Sequence, residues 1–188
     1  MKIMVSRFRF ILVLILCTVV TSVSYGIEIN PVKERIEDTV KIGESNPGKK
    51  IFKTEFVKPA IFGNWPEYGG GLVKSKLVDL AVMAAMMRKA RKVLTEENVK
   101  SMMESNILSI SYRGGGDIFK IKLMQGGRLI EPIKMVKPDM RKGGAKEHAP
   151  LFLAIFPYSK LDLNAKTTIL VIKDFGEDKH EVDFSRIK

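Results

Sequence analysis

The chain has 188 residues, and its 32 Lys and Arg outnumber 21 Asp and Glu to give a formal net charge of +11. Hydrophobic residues make up 45% of it, and the single cysteine, Cys17, excludes a disulfide within the chain. A length of this order suits one domain with its own core.

The N-terminus opens with Lys2, Arg7 and Arg9, followed by the uninterrupted apolar run "FILVLILCTVV" (10–20). Small and polar residues, "TSVSYG", come next and place Ser24 and Gly26 at the −3 and −1 positions of a cut. This three-part layout predicts a secretory signal peptide over 1–26, cleaved after Gly26. The apolar run falls short of the roughly 20 residues of a spanning helix, which sets a retained anchor second. Lipidation at Cys17 is disfavoured by the bulky Ile15 and Leu16 before it. Cleavage removes three cations and no acid, lowering the formal charge from +11 to +8, and takes away the only thiol. The mature chain then has no cysteine nucleophile and no cysteine-built zinc site.

Residues 27–50 are charged, poor in aromatics and closed by Asn46-Pro47-Gly48, the pattern of a linker or loosely ordered lead-in. A domain over 51–188 follows. "IFKTEFVKPAIF" (51–62) reads as a strand bent or placed at an edge by Pro59, and "GNWPEYGGG" (63–71) as a loop. A helical insertion spans 72–105. Leu80, Met83, Met87, Ala90 and Leu94 recur at steps of three and four as one apolar seam, opposite Lys74, Lys89, Lys92 and the small Ala81 and Ala85. Thr95 before Glu96-Glu97 is the N-cap of a second helix ending near Glu104.

Beyond Asn106 the period falls to two. Strands are expected at 107–113, 117–124, 128–136, 151–158, 167–173 and 180–187, with "GGG" and "QGG" as breaks and a polar, basic loop over 137–150. The near-continuous apolar runs 151–156 and 168–172 should be interior strands. The fold predicted is mainly β with a helical insertion: a β-sandwich of about seven strands plus a helix pair placed after the first strand. "FPYSKLDLNAKTTILVI" resembles the late-strand corner of immunoglobulin-like sandwiches, where an aromatic and an Asp-x-x-Ala turn precede a buried strand. That likeness covers roughly the last forty residues and brings neither a cysteine pair nor the strand-C tryptophan. It implies an immunoglobulin-like architecture and no particular activity.

Three kinds of chemistry compete with plain structural roles. Met83, Met86 and Met87, with Met102, Met103 and His148 within conceivable reach, offer soft ligands for Cu(I) in an exported setting. Methionine also fills irregular core space, and Met83 and Met87 share the seam of Leu80, so the core role is preferred and no metal or other cofactor is expected. "YGGGLVKSK" lacks the Gly-x-x-x-x-Gly-Lys pattern of a phosphate loop, and "RGGGD" falls between two strands as a turn. His148 and His180 accompany no Gly-x-Ser-x-Gly elbow and no His-Glu-x-x-His, so no catalytic set is assigned.

The cations Lys134, Lys137, Arg141, Lys142 and Lys146 gather in and before the long loop, opposed by Asp139 and Glu147. They form the candidate partner-binding patch, suited to a protein or an anionic envelope polymer. Nucleic acid is not expected, because aromatics do not interleave with the cations. Nor does the mature chain contain a run suited to spanning a membrane. The reading is therefore an exported, periplasmic or secreted, non-enzymatic binding or assembly protein of the bacterial cell envelope. The rivals are copper handling through the methionine helix and an envelope enzyme with an unrecognised site.

Overall fold

A computed structural model describes residues 26–114, 118–137 and 151–188. Its order is α1 (Lys33–Ser45), two 3-10 turns (Gly48–Lys53 and Lys58–Ala60), β1 (Ile61–Gly63), β2 (Gly70–Lys74), α2 (Lys76–Lys89) and α3 (Glu96–Glu104). Then come β3 (Ile107–Arg113), β4 (Ile118–Gln125), β5 (Arg128–Ile130), β6 (Lys134–Val136), β7 (Leu151–Pro157), β8 (Lys166–Lys173) and β9 (Gly176–Asp183), with short 3-10 turns after β7 and β9. The signal segment and the core of the 137–150 loop lie outside the described residues, apart from Gly26 and Lys137.

The strands form two antiparallel sheets, β1-β2-β3-β7-β6 and β5-β4-β8-β9. Alternation decides which side chains enter the core between them. Leu108, Ile110 and Tyr112 of β3 and Phe152, Ala154 and Phe156 of β7 join Ile121 and Leu123 of β4, and Ile169 and Val171 of β8, in one buried cluster. The protein is thus mixed helix and sheet with two antiparallel sheets over a shared core. As expected from their apolar runs, β7 and β8 are interior strands, each with a neighbour on both sides.

Several expectations are corrected. Residues 33–45, read as part of a linker, are a helix whose Ile36, Thr39, Val40 and Gly43 make a stripe at three- and four-residue steps. Thr39 and Gly43 are buried, and the Thr39 hydroxyl donates to the Arg35 carbonyl at 2.7 Å. Gly43 is there for lack of a side chain: a Cβ would lie 2.4 Å from the Ala81 carbonyl oxygen and 2.6 Å from the Ala84 Cβ. That close crossing explains the displaced seam of α2. Its buried face is Leu77, Val78, Leu80, Ala81, Ala84 and Ala85, so the alanines assigned to the outer side face α1. Met83 and Met87 are only half-buried, and Ala90 lies past the helix end and is exposed.

The stretch 51–62 is not a strand until Ile61. Ile51 and Ala60 are buried from two 3-10 turns and Val57 from the link between them, where the Thr54 hydroxyl donates to the Ile51 carbonyl at 2.7 Å. The helices therefore follow the second strand rather than the first. Gly70 and Gly71, assigned to a loop, open β2, where a Cβ on Gly71 would stand 2.1 Å from Phe62 Cζ. The strand expected over 128–136 breaks at Glu131-Pro132-Ile133, and its halves join different sheets. Pro132 supplies no N–H for a ladder there. The last strand starts at Gly176, four residues early, because Asp178, His180 and Val182 alternate as well as a hydrophobic strand would. The second helix is as expected: the Thr95 hydroxyl accepts from the Asn98 N–H at 3.2 Å and Asn98 returns a contact to Thr95, a reciprocal cap.

Candidate functional site

An aromatic-lined concavity of about 590 Å³ opens on the outer side of the five-stranded sheet. The sheet register builds its floor. Leu72 of β2 stands opposite Ser111 of β3, and Arg113 of β3 opposite Leu151 of β7. One wall is the exposed side of α2, where Val82, Met86 and Lys89 follow each other at steps of four and three. The other wall is the loop between β1 and β2 with the first 3-10 turn, contributing Trp65, Pro66, Glu67, Tyr68, Phe52 and Lys49.

The loop is pinned rather than loose. Glu67 N–H donates to the Asn64 carbonyl at 2.7 Å, and Gly69 N–H donates to the Arg113 carbonyl at 2.8 Å. Phe52 meets Trp65 edge-on, with ring centres 5.8 Å apart and planes at 88°. The Arg113 guanidinium carbon sits 5.6 Å from the Trp65 ring centre, within cation–π range. Tyr68 is 59% exposed, Leu151 42% and Met86 37%, so the groove offers water an apolar surface of large side chains. Among the described residues four cations line it (Lys49, Lys74, Lys89 and Arg113) against one carboxylate, Glu67, which pairs with Lys49 at 3.3 Å. Volume and lining fall in the range of binding clefts, and the polar groups present suit charge recognition and stacking.

A smaller cavity of about 210 Å³ lies at the other end of α2, lined by Lys74, Ser75, Lys76, Asp79, Ser101, Met102, Ser105, Ile107 and Ser109. Here Lys76 is only 4% exposed, and its ammonium donates to the Met103 carbonyl in the last turn of α3. Burial pulls the Lys76 amine below its ordinary value of 10.5. Its charge is steadied by the carbonyl end of α3. The Tyr158 hydroxyl accepts the Lys76 backbone N–H at 3.2 Å, and burial pushes that phenol up to about 12. Lys74 pairs with Asp79 at 2.5 Å.

A polar cluster sits between the sheets. The Tyr112 hydroxyl donates to Asp178 Oδ2 at 2.9 Å, and Lys173 pairs with the same carboxylate. His180 lies against the rings of Phe62 and Tyr112, its Nε2 buried with no hydrogen-bond partner among the described residues. Burial, then the bond to Asp178, raises the Tyr112 phenol. Lys173 holds the Asp178 carboxyl below its usual range, and burial lowers the His180 imidazole. Every one of these groups is engaged by packing or by a partner except that imidazole nitrogen, and the cluster reads as core.

Of the five cations assigned from sequence, Lys134 lies on the edge strand β6 opposite Ile155, and Lys137 follows it; both are exposed. Arg141, Lys142 and Lys146, with His148, lie outside the described residues. Lys134 and Lys137 do not line the groove, although β6 is the neighbour of β7, whose Leu151 does. Among the methionines of α2 only Met86 lines it. Among the described residues no group of three His, Cys, Asp or Glu is placed to hold a metal, and no helix is long and apolar enough to cross a membrane. Sequence reasoning missed Trp65, Tyr68, Arg113 and Lys89; the signal available was the chain's only tryptophan, set in a glycine-rich loop.

No family model, curated protein or solved structure matches the chain.

Proposed function

We propose that this chain is an exported, non-enzymatic binding or assembly protein of the bacterial cell envelope, periplasmic or secreted, and that it holds its partner in the groove between α2 and the five-stranded sheet. The observation that carries this reading is the exposed Tyr68, Met86 and Leu151 beside Trp65 in a cleft of about 590 Å³ with a cationic rim. Large apolar side chains grouped in a concavity mark interaction surfaces more often than isolated exposed ones do. Export rests on the leader, apolar run and small-residue cut at 1–26. For the fold, an immunoglobulin-like relation is the finer reading; its support is the pair of antiparallel sheets and the buried Tyr158 ahead of β8.

Two measurements test it. Mass spectrometry of protein recovered from the envelope or medium is expected to find Ile27 as the first residue; Met1 there would refute export. A photo-crosslinking residue replacing Tyr68 is expected to capture an envelope component in cells, and the same residue replacing Phe175, exposed at the β8–β9 turn, is not. Equal capture at both positions would remove the groove from the account.

A further inference from the structure

We infer that the occupant of the groove is an acidic segment of another protein carrying a bulky apolar anchor residue; this rests on the groove being the partner-binding surface. Three observations point to that chemistry. The first is charge. Lys49, Lys74, Lys89 and Arg113 line the groove, with Glu67 the one opposing carboxylate among the described residues. Lys49 is engaged by Glu67 and Lys74 by Asp79, which leaves Lys89 and Arg113 with no carboxylate partner among the described residues. A ligand with carboxylates is steered in and held by those two, and a cationic one is repelled.

The second observation is the shape of the apolar surface. Val82 and Met86 from the helix face Trp65, Phe52 and Tyr68 from the loop across a floor of Leu72 and Leu151. A trough walled on both sides by aliphatic, thioether and aromatic groups accepts a single large side chain with its neighbours lying along the rim. Methionine adapts to more than one anchor shape. An anionic polysaccharide carries charge but no such anchor, and hydroxyl partners for sugar rings are scarce here, with Ser111 the one lining side-chain hydroxyl besides Tyr68 among the described residues.

The third is unsatisfied donors. Trp65 Nε1 and Arg113 Nε are buried without a hydrogen-bond partner among the described residues. Buried donors left unpaired are costly. An occupant rich in oxygen acceptors, from carboxylates and peptide carbonyls alike, relieves that cost once the Trp65–Arg113 stack adjusts to it. An aliphatic lipid tail does not.

Trp65 is the only tryptophan in the chain, so its emission reports on the groove directly. The experiment titrates the folded mature protein with four probes. These are a short Asp/Glu-rich peptide with one central Phe, the same peptide with Phe→Ala, a charge-reversed Lys version, and poly-glutamate. The expected result is a saturable change of Trp65 emission with the first peptide. Binding should weaken roughly 30-fold without the anchor, as for a central hot-spot residue. It should be abolished by charge reversal and weaken roughly tenfold in the Lys89→Glu variant. Lys89 is exposed at the end of α2, so that variant is expected to fold as the parent does. Poly-glutamate binding as tightly as the anchored peptide would overturn the inference in favour of a non-specific basic surface. Silence of Trp65 with every peptide would overturn it as well. Silence together with capture at the Tyr68 crosslinker would sink the acidic-partner chemistry alone, whereas loss of that capture would sink the groove itself.

Discussion

The two ends of α2 break opposite rules. At its start a lysine is buried, with Lys76 sealed between Tyr158 and the last turn of α3. Near its end apolar groups stay open, with Val82 and Met86 forming a wall of the groove. The difference teaches that burial along one helix is set by what each turn meets. One face is enclosed by α1, which crosses at Ala81, Ala84 and Ala85, whereas the face bearing Val82 and Met86 looks across the groove to a loop. A charge survives inside because the carbonyl end of α3 is aimed at it, and a methionine survives outside because the cleft half-shelters it.

Changes at the enclosed side should hurt most. Leu80→Ala is expected to lower stability by about 2–5 kcal/mol in denaturant unfolding, since Leu80 is fully buried. A loss under about 1 kcal/mol would mean that the α1–α2 layer is looser than described. Gly43→Val should cost about 1–3 kcal/mol by overpacking against Ala81 and Ala84, with faster amide exchange over residues 33–45 as the local readout. Protection there equal to the parent's would show that the crossing is not close.

The buried amine gives a pH signature. Lys76 is lowered in the folded state, so between that value and 10.5 the unfolded chain binds more protons and stability rises with pH. Tyr158 acts oppositely: it keeps its proton up to about 12 when folded but releases it near its ordinary 10.0 when unfolded, so stability falls with pH through that window. Denaturation at a series of alkaline pH values should show the rise below about 10 flattened in Lys76→Met, with the fall above retained. An unchanged profile in that variant would show that the lysine is not held as described. The smallest effect is expected at the open end: Met86→Gln should shift stability by no more than about 0.5 kcal/mol, since Met86 supports the groove wall and not the core.

Much of the strand layout was legible because period-two alternation is a local signal. β3, β4, β7 and β8 fell within a residue or two of their expected bounds, and the Thr95 cap was plain from Thr-Glu-Glu-Asn. Helix α1 was hidden by its charge, since Lys33, Glu34, Glu37, Asp38, Lys41 and Glu44 all face solvent and outweigh a stripe of small residues. With α1 unseen, the face of α2 that it covers could not be found, and the methionines drew the seam to the wrong side. The candidate site was less legible still. Phe52, Trp65, Met86, Arg113 and Leu151 are scattered over about a hundred positions and meet only through sheet register and a loop closure. The cation patch was visible because its members are near neighbours in sequence, but two of its five lie among the described residues and neither enters the groove.

Ile130 ends a strand in one sheet and Lys134 begins a strand in the other, with only Glu131, Pro132 and Ile133 between them. So short a tether works like a hinge pin. Glu131 bonds back to Lys120 and Lys122 on β4 at 2.7 Å each, while the Ile133 amide donates to Ile155 on β7 at 2.8 Å, fastening the pin on both sides. Neither layer has slack to lift from its partner and leave the other intact. Melting should therefore run as a single concerted event, with far- and near-ultraviolet signals vanishing together.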